Sequence, residues 1–181
     1  MDAIEMIKER RSVRKFKNEI VDHETMTEIV ELSRWAPSWG NFQVARYTLV
    51  DDKEVIAKLA SDGVDGFVYN VNTLKEAKGV AVLSFVKGKS GKLEGEDYAT
   101  SKASVWEVFD AGIACQTFCL AAHAKGVGTC IMGVINDEKI SGIVGLPEEE
   151  TVAAMIVYGY EDGEHAPATP RKNVEDIMRF V

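Results

Sequence analysis

Positive charge is in deficit in this chain: 21 lysines and arginines stand against 29 acids, a formal net charge of -8 over 181 residues. That balance repels nucleic acid and anionic lipid at long range and excludes a generic polyanion as partner. Cysteine is scarce as well. Cys115, Cys119 and Cys130 form an odd, scattered set without a disulfide-framework pattern, which fits a reducing cytoplasm. No stretch reads as long and apolar enough to span a membrane. The opening MDAIEMIKERR interleaves acids and bases with apolar residues, unlike the cationic flank and apolar run of a signal peptide.

Familiar catalytic signatures are missing too. GKS at 88–90 resembles the end of a phosphate-binding loop, but Leu83 stands where the upstream glycine belongs, so a surface turn is expected. GVGTCIMG at 126–133 lacks the third glycine of a dinucleotide fingerprint and follows a helix instead of a first strand. Cys115, Cys119 and His123 step by four along one helical face, which sets the first and last about 12 Å apart, too far to share a metal ion. Core packing is expected of them, and no metal site. There is no Gly-x-Ser-x-Gly elbow, and His23, His123 and His165 have no obvious shared setting for acid–base work. No catalytic side chain is assigned.

What the chain does have is a globular composition, 46% hydrophobic and 28% charged, without internal repeats or a visible boundary, so one domain over 1–181 is expected. Periodicity and caps predict helices over 2–10, 22–35, 104–124, 136–144 and 173–179. Asp22 and Asn136 serve as N-caps, and Met26, Ile29, Val30 and Trp35 form an apolar side. Strands are expected at 45–50, 79–86 and 151–160. The 104–124 helix is apolar nearly all round, more than a chain this size can cover, and reads as a subunit interface. The Gly-rich, charged stretch 87–102 reads as a mobile surface excursion.

IKERRSVRKFK, residues 7–17, gathers Lys8, Arg10, Arg11, Arg14, Lys15 and Lys17 in this acidic chain. With Arg171 from TPRKN, Arg10 and Arg14 could clamp a phosphate from two directions, since guanidinium forks match phosphate oxygens. Ser12, Ser38, Asn41 and Asn70 could serve hydroxyls or heterocycle edges, and the glycines of 126–133 would admit a flat ligand close to the backbone. Each piece alone also fits a plainer role: a solvated charged strand, a helix-ending turn, a helix C-cap. Composition and spacing therefore reach a phosphate-ligand site and stop there.

The order of motifs carries further. RRSVRKF, then a helix ending in APSWGNFQ, then YNVNTLKEAKGVAVL, DAGIACQTFCLAAHAKGVGTCIMG and a late YGY…PRK resemble the FMN-dependent nitroreductase family over essentially the whole chain. The resemblance implies an α+β fold, a three-layer α/β/α sandwich with a mixed, largely antiparallel central sheet. It also implies an intertwined homodimer with two FMN sites at its interface, NAD(P)H as co-substrate, a small-molecule electron acceptor, and a cytoplasmic oxidoreductase working by a ping-pong mechanism on nitroaromatics, quinones or similar compounds. Ene reduction, dehalogenation, flavin breakdown and a non-catalytic flavin-binding or redox-sensing role are the alternatives it leaves.

Carried over by position, Arg10, Arg11, Ser12 and Arg14 are similar to the first flavin segment, with the arginines serving the phosphate and the polar edge of the ring. Arg171 and Lys172 match the late phosphate contact, and Pro37, Ser38 and Asn41 the loop offered to the other subunit's flavin. Asn70 matches a flavin contact of one branch. Ile131, Met132 and Gly133 match the loop whose N–H approaches flavin N5, with Gly133 as donor. Val44 and Ala45 replace the family's frequent Pro-Trp, and Val134 replaces the second glycine after the N5 loop. The compact chain implies a reduced lid, with 60–72 and 87–102 as covers.

Overall fold

The computed structural model describes residues 2–93 and 97–181. In chain order the elements are α1 (Ala3–Glu9), α2 (His23–Ser33), a 3-10 turn (Trp39–Asn41), β1 (Ala45–Val50), α3 (Lys53–Asp62), α4 (Val68–Glu76), β2 (Gly79–Val86), α5 (Val105–Ala124), β3 (Gly128–Met132), α6 (Asp137–Val144), β4 (Glu150–Gly159) and α7 (Val174–Ile177). Short polar side chains start several helices by accepting from otherwise orphaned N–H groups. Asp22 accepts from Thr25 at 2.7 Å, Asp52 from Glu54 and Val55, and Asn136 from Lys139 at 3.1 Å. Gly145 ends α6 at φ 66°, a left-handed position that favours glycine.

The four strands form one sheet in the order β1-β2-β4-β3, antiparallel at every pairing. Its parallel component among the described residues is an isolated bridge between Ser12 and Thr129. β2 is buried at all eight positions. Alternation divides it between two cores: Val80 and Val82 join α3, α4 and α6 residues such as Ile56, Leu59, Leu74 and Ile140, while Ala81, Leu83 and Phe85 join Met26, Ile29, Cys115 and Phe118 of α2 and α5. The result is helices, sheet, helices. Between Leu83 and Ser84 the register with β4 jumps from Ala154 to Val152, a bulge that leaves Ala153 without a partner and turns Val152 toward the same core as Met155.

Strands 45–50 and 79–86 fall where the residue pattern predicts them, and 151–160 is displaced by one residue. Three elements differ. β3 occupies part of the glycine stretch 126–133, because Thr129, Cys130 and Met132 are buried against β4 and outweigh the flanking glycines. α3 and α4 are helices where none is expected; α3 carries its cap at Asp52 and buries Ile56, Leu59 and Ala60. Trp35 lies beyond the end of α2 and is 78% exposed, so it is not part of that helix's apolar side.

α5 also corrects the expectation that nothing is apolar enough to span a membrane: within its 20 residues an 18-residue window reaches a mean hydropathy of 1.2, and half of that window is buried inside the protein. One side lies on the sheet and α2, and buried Glu107 and Asp110 are hydrogen-bonded within the fold. In the 87–102 stretch, residues 94–96 lie outside those described; GKS forms the expected turn with Gly88 and Lys89 exposed, while Ser90 is fully buried and donates to Asp110.

Phe118 is completely buried and stacks on Tyr47 with ring centroids 5.2 Å apart. Phe118→Ala is expected to cost about 3–5 kcal/mol, read as a lower urea midpoint at unchanged slope. A loss below about 1 kcal/mol would mean that this core closes around the cavity.

Candidate functional site

β3 is an edge strand, and the segment after α1 occupies its free edge. Val13 N–H donates to the Thr129 carbonyl at 2.9 Å beside the Ser12 bridge. The segment then crosses to the end of β4, where Phe16 bridges Glu161 and Lys17 N–H donates to the Tyr160 carbonyl at 2.8 Å. Val13 and Phe16 are buried at 5% exposure each. Two glycines admit them: a Cβ at Gly128 would stand 2.7 Å from Val13, and one at Gly159 would stand 2.9 Å from the Phe16 ring.

This docking brings Arg10 and Arg11 to a pocket of about 210 Å³ at the end of β3, together with His123 from the last turn of α5 and Glu161 and His165 from beyond β4. Arg11 donates to the backbone carbonyls of Lys8, Arg10 and Ala166. Among the described residues neither arginine is in an ion pair. The His123 and His165 rings lie 6.3 Å apart, a shared setting the sequence spacing does not reveal. His165 meets the Glu161 carboxylate at 2.7 Å through Nδ1, which raises its pKa, and the Glu9 carbonyl at 2.7 Å through Nε2. Burial lowers the pKa of His123, and the positive charge of His165 and Arg10 adds to this. Its Nε2 is the one buried side-chain nitrogen or oxygen without a hydrogen-bond partner among the described residues.

Four residues along, Arg14 lines a different cleft, of about 490 Å³, with Phe16, Tyr69, Asn72, Thr73 and Glu76. Arg10 is not among the residues that line this cleft. On α4, Asn70 donates through Nδ2 to the Val134 carbonyl at 2.9 Å, which ties that helix to the loop after β3. At the end of β3 Met132 is buried and Ile131 half-exposed, and in the loop Gly133 is exposed with open space around the position of a Cβ.

Pro37 and Ser38 line a third cavity, of about 300 Å³, between α2, β1 and α5. Asp110 on α5 shapes their loop by accepting from Trp39 N–H at 3.0 Å, and Ser38 Oγ accepts from Gln43 N–H at 2.8 Å. Asn41 follows in the left-handed region at φ 56° and is exposed. Arg171 and Lys172 sit in an exposed tail, where Arg171 donates to the Thr169 and Pro170 carbonyls. Within one chain, then, Arg10, Arg11 and Ser12 gather at β3 and Asn70 joins the 131–134 loop. Pro37, Ser38, Asn41, Arg171 and Lys172 lie elsewhere. His123, Glu161, His165 and Asp110 are the functional candidates that sequence reasoning misses.

A family model described as Nitroreductase family matches residues 7–160. A Nitroreductase Family Protein from Streptococcus pneumoniae TIGR4 shares the fold with a TM-score of 0.84 at 20% identity, over 98% of this chain and 99% of that one. An FMN-dependent Nitroreductase from Clostridium difficile R20291 is 28% identical with a TM-score of 0.72, over 96% of this chain and 94% of that one. The 5,6-dimethylbenzimidazole synthase of Rhodospirillum rubrum is 26% identical, over 86% of this chain and 80% of that protein.

Asp110→Ala tests the anchoring of the 37–43 loop. A lost hydrogen bond to a charged group costs about 1.5–3 kcal/mol, so the variant should unfold earlier and exchange its Trp39 amide faster than wild type. Unchanged exchange at Trp39 would show that the loop holds its shape without the carboxylate.

Proposed function

Because the chain belongs to the nitroreductase family, we propose that it is an FMN-dependent oxidoreductase that takes hydride from NADH or NADPH and passes electrons to a nitroaromatic, quinone or similar small acceptor. One observation carries this reading: Arg10 and Arg11, without a carboxylate partner among the described residues, line a pocket beside a buried histidine nitrogen that lacks a partner. Uncompensated guanidinium groups at a recess of this size suit a phosphate. When bound, FMN would supply the hydride-accepting and electron-donating chemistry that the side chains lack.

The chain's own residues bind and orient. Arg10 and Arg11, with Arg171 and Lys172 arriving from the tail, hold the phosphate. Ser12 and Arg14 would serve the ribityl chain and the polar edge of the ring, and Gly133, following Ile131 and Met132, would offer its N–H to N5. Asn70 contributes by fastening the Val134 carbonyl, which keeps that loop from drifting. With no side-chain acid or base assigned, both substrates use one open face in turn, and the mechanism is ping-pong.

A homodimer in a reducing cytoplasm is part of the same proposal. The outer side of α5 exposes Val105, Val108 and Phe109 at 60%, 57% and 56%, in line with exposed Gly112 and Gln116, and the tail exposes Ile177, Met178 and Phe180. A contiguous apolar stripe of this kind fits a subunit contact. Pro37, Ser38 and Asn41, remote from Arg10 in their own chain, then serve the second copy's cofactor. The likeness to a 5,6-dimethylbenzimidazole synthase favours a second reading, in which the same domain carries out other flavin chemistry, such as flavin breakdown, ene reduction or dehalogenation.

Anaerobic NADH or NADPH should bleach the bound flavin rapidly, and steady-state data with menadione or a nitrobenzoate should give parallel double-reciprocal lines. Bleaching no faster than that of free FMN would reject the enzyme, and intersecting lines would reject the shared face. Arg10→Ala should weaken FMN by about 1.5–3 kcal/mol and riboflavin hardly at all, as measured by fluorescence titration of the apoprotein. Equal losses for both would remove Arg10 from the phosphate. Gly112→Arg places a charge on the α5 stripe and should yield a monomer that loses FMN, seen by light scattering and absorbance. A monomer that keeps FMN normally would contradict the shared site.

A further inference from the structure

The pocket that holds Arg10 and Arg11 also contains a histidine pair in unequal states. Both ring nitrogens of His165 face acceptors, the Glu161 carboxylate and the Glu9 carbonyl, so both must carry hydrogens and the ring is an imidazolium. His123, 6.3 Å away, has a buried Nε2 with no partner. The charges around it are Glu9, Arg10 and Arg11 from the N-terminal segment, and His165 with its partner Glu161 from the stretch after β4. In the next turn Lys125 is occupied by Glu28 of α2. Positive charge and burial together keep His123 neutral at neutral pH, which is the direction of its pKa shift.

We infer that His123 is a proton-coupled member of the phosphate site: entry of the cofactor's dianionic phosphate beside Arg10 and Arg11 draws one proton from solvent onto the lone pair of the His123 imidazole. The inference rests on the assignment of Arg10 and Arg11 to the phosphate. A dianion there offsets the cations that depress His123 and attracts the imidazolium directly. Nothing but a proton moves, from buffer to ring nitrogen. Below the depressed pKa of the free protein His123 is already charged, so binding takes up nothing. Above the raised pKa of the complex it stays neutral. Proton uptake is confined to the window between the two, and the preference for FMN over riboflavin declines as pH rises through its upper limit.

Calorimetry of the apoprotein in buffers of different ionisation enthalpy counts the protons. Near pH 7 the wild type should take up part of a proton, and at most one, with FMN and none with riboflavin. His123→Gln should lose that uptake while its count with riboflavin stays unchanged. The phosphate's own titration, near pH 6, enters both proteins alike and cancels in the difference. The wild type also decides the question without a variant, because its three histidines give a readable imidazole spectrum: the His123 resonance should titrate at higher pH with FMN bound than without. Equal proton counts in wild type and His123→Gln, or a His123 titration that FMN does not move, would overturn the inference. Arg10→Ala separates the two levels. If it weakens FMN selectively while His123 is inert, the phosphate assignment stands and the coupling falls; if FMN and riboflavin respond alike, the assignment itself falls.

Discussion

The docking of residues 12–17 onto the β3–β4 edge is the constraint from which the site follows. Its main-chain part is small: the Val13 N–H to the Thr129 carbonyl, the Lys17 N–H to the Tyr160 carbonyl, and two isolated bridges. Burial of Val13 and Phe16 adds about 1.5–3 kcal/mol for each side chain, available only because Gly128 and Gly159 have no Cβ in the way. Once that register is set, Arg10 and Arg11 fall at the C-terminal end of α5, and Arg14 falls across from α4. A slip of the segment by one residue would turn Val13 out of the core and move every cation from its place.

The same geometry explains how an acidic chain can favour an anion. Fields of exposed charges fade over about 8 Å in physiological salt, so the overall charge of -8 governs long-range encounters and not contact inside the pocket. There Arg11 donates to backbone carbonyls instead of carboxylates, and Glu161, the acid that lines the pocket, is occupied by His165. α5 joins this pocket to the 37–43 loop: His123 closes its last turn, Asp110 near its start holds the loop of Pro37 and Ser38, and its outer stripe is exposed.

Much of this framework is legible from residues alone. The sheet strands 45–50 and 79–86 are long apolar runs, and Asp22 and Asn136 announce their helices, so local chemistry suffices for them. β3 is not legible, because its five residues between glycines become a strand only through pairing with β4. α3 had a readable signal in the Asp52 cap and the spacing of Ile56, Leu59 and Ala60. For the site, the ordered motifs point to the segment RRSVR, but not to the placing of its arginines along two clefts. His123 and His165 are 42 positions apart and meet only because β3 and β4 are neighbours in the sheet. Asp110 looks like a polar interruption in an apolar helix until the turn at Ser90 and the 3-10 turn at Trp39 fold back onto it.

The central claim is that a phosphate sits beside Arg10 and Arg11, and phosphorus NMR of FMN added to the apoprotein addresses it most directly. Bound between guanidinium groups and shielded from water, the phosphate should resonate away from its free position and remain dianionic well below pH 6, where free phosphomonoesters gain a proton near that value. Arg10→Ala should return both the shift and the titration toward those of free FMN. A bound-flavin resonance that titrates like free FMN in the wild type would contradict the account, because it would leave the phosphate in solvent and the arginine pocket without its anion.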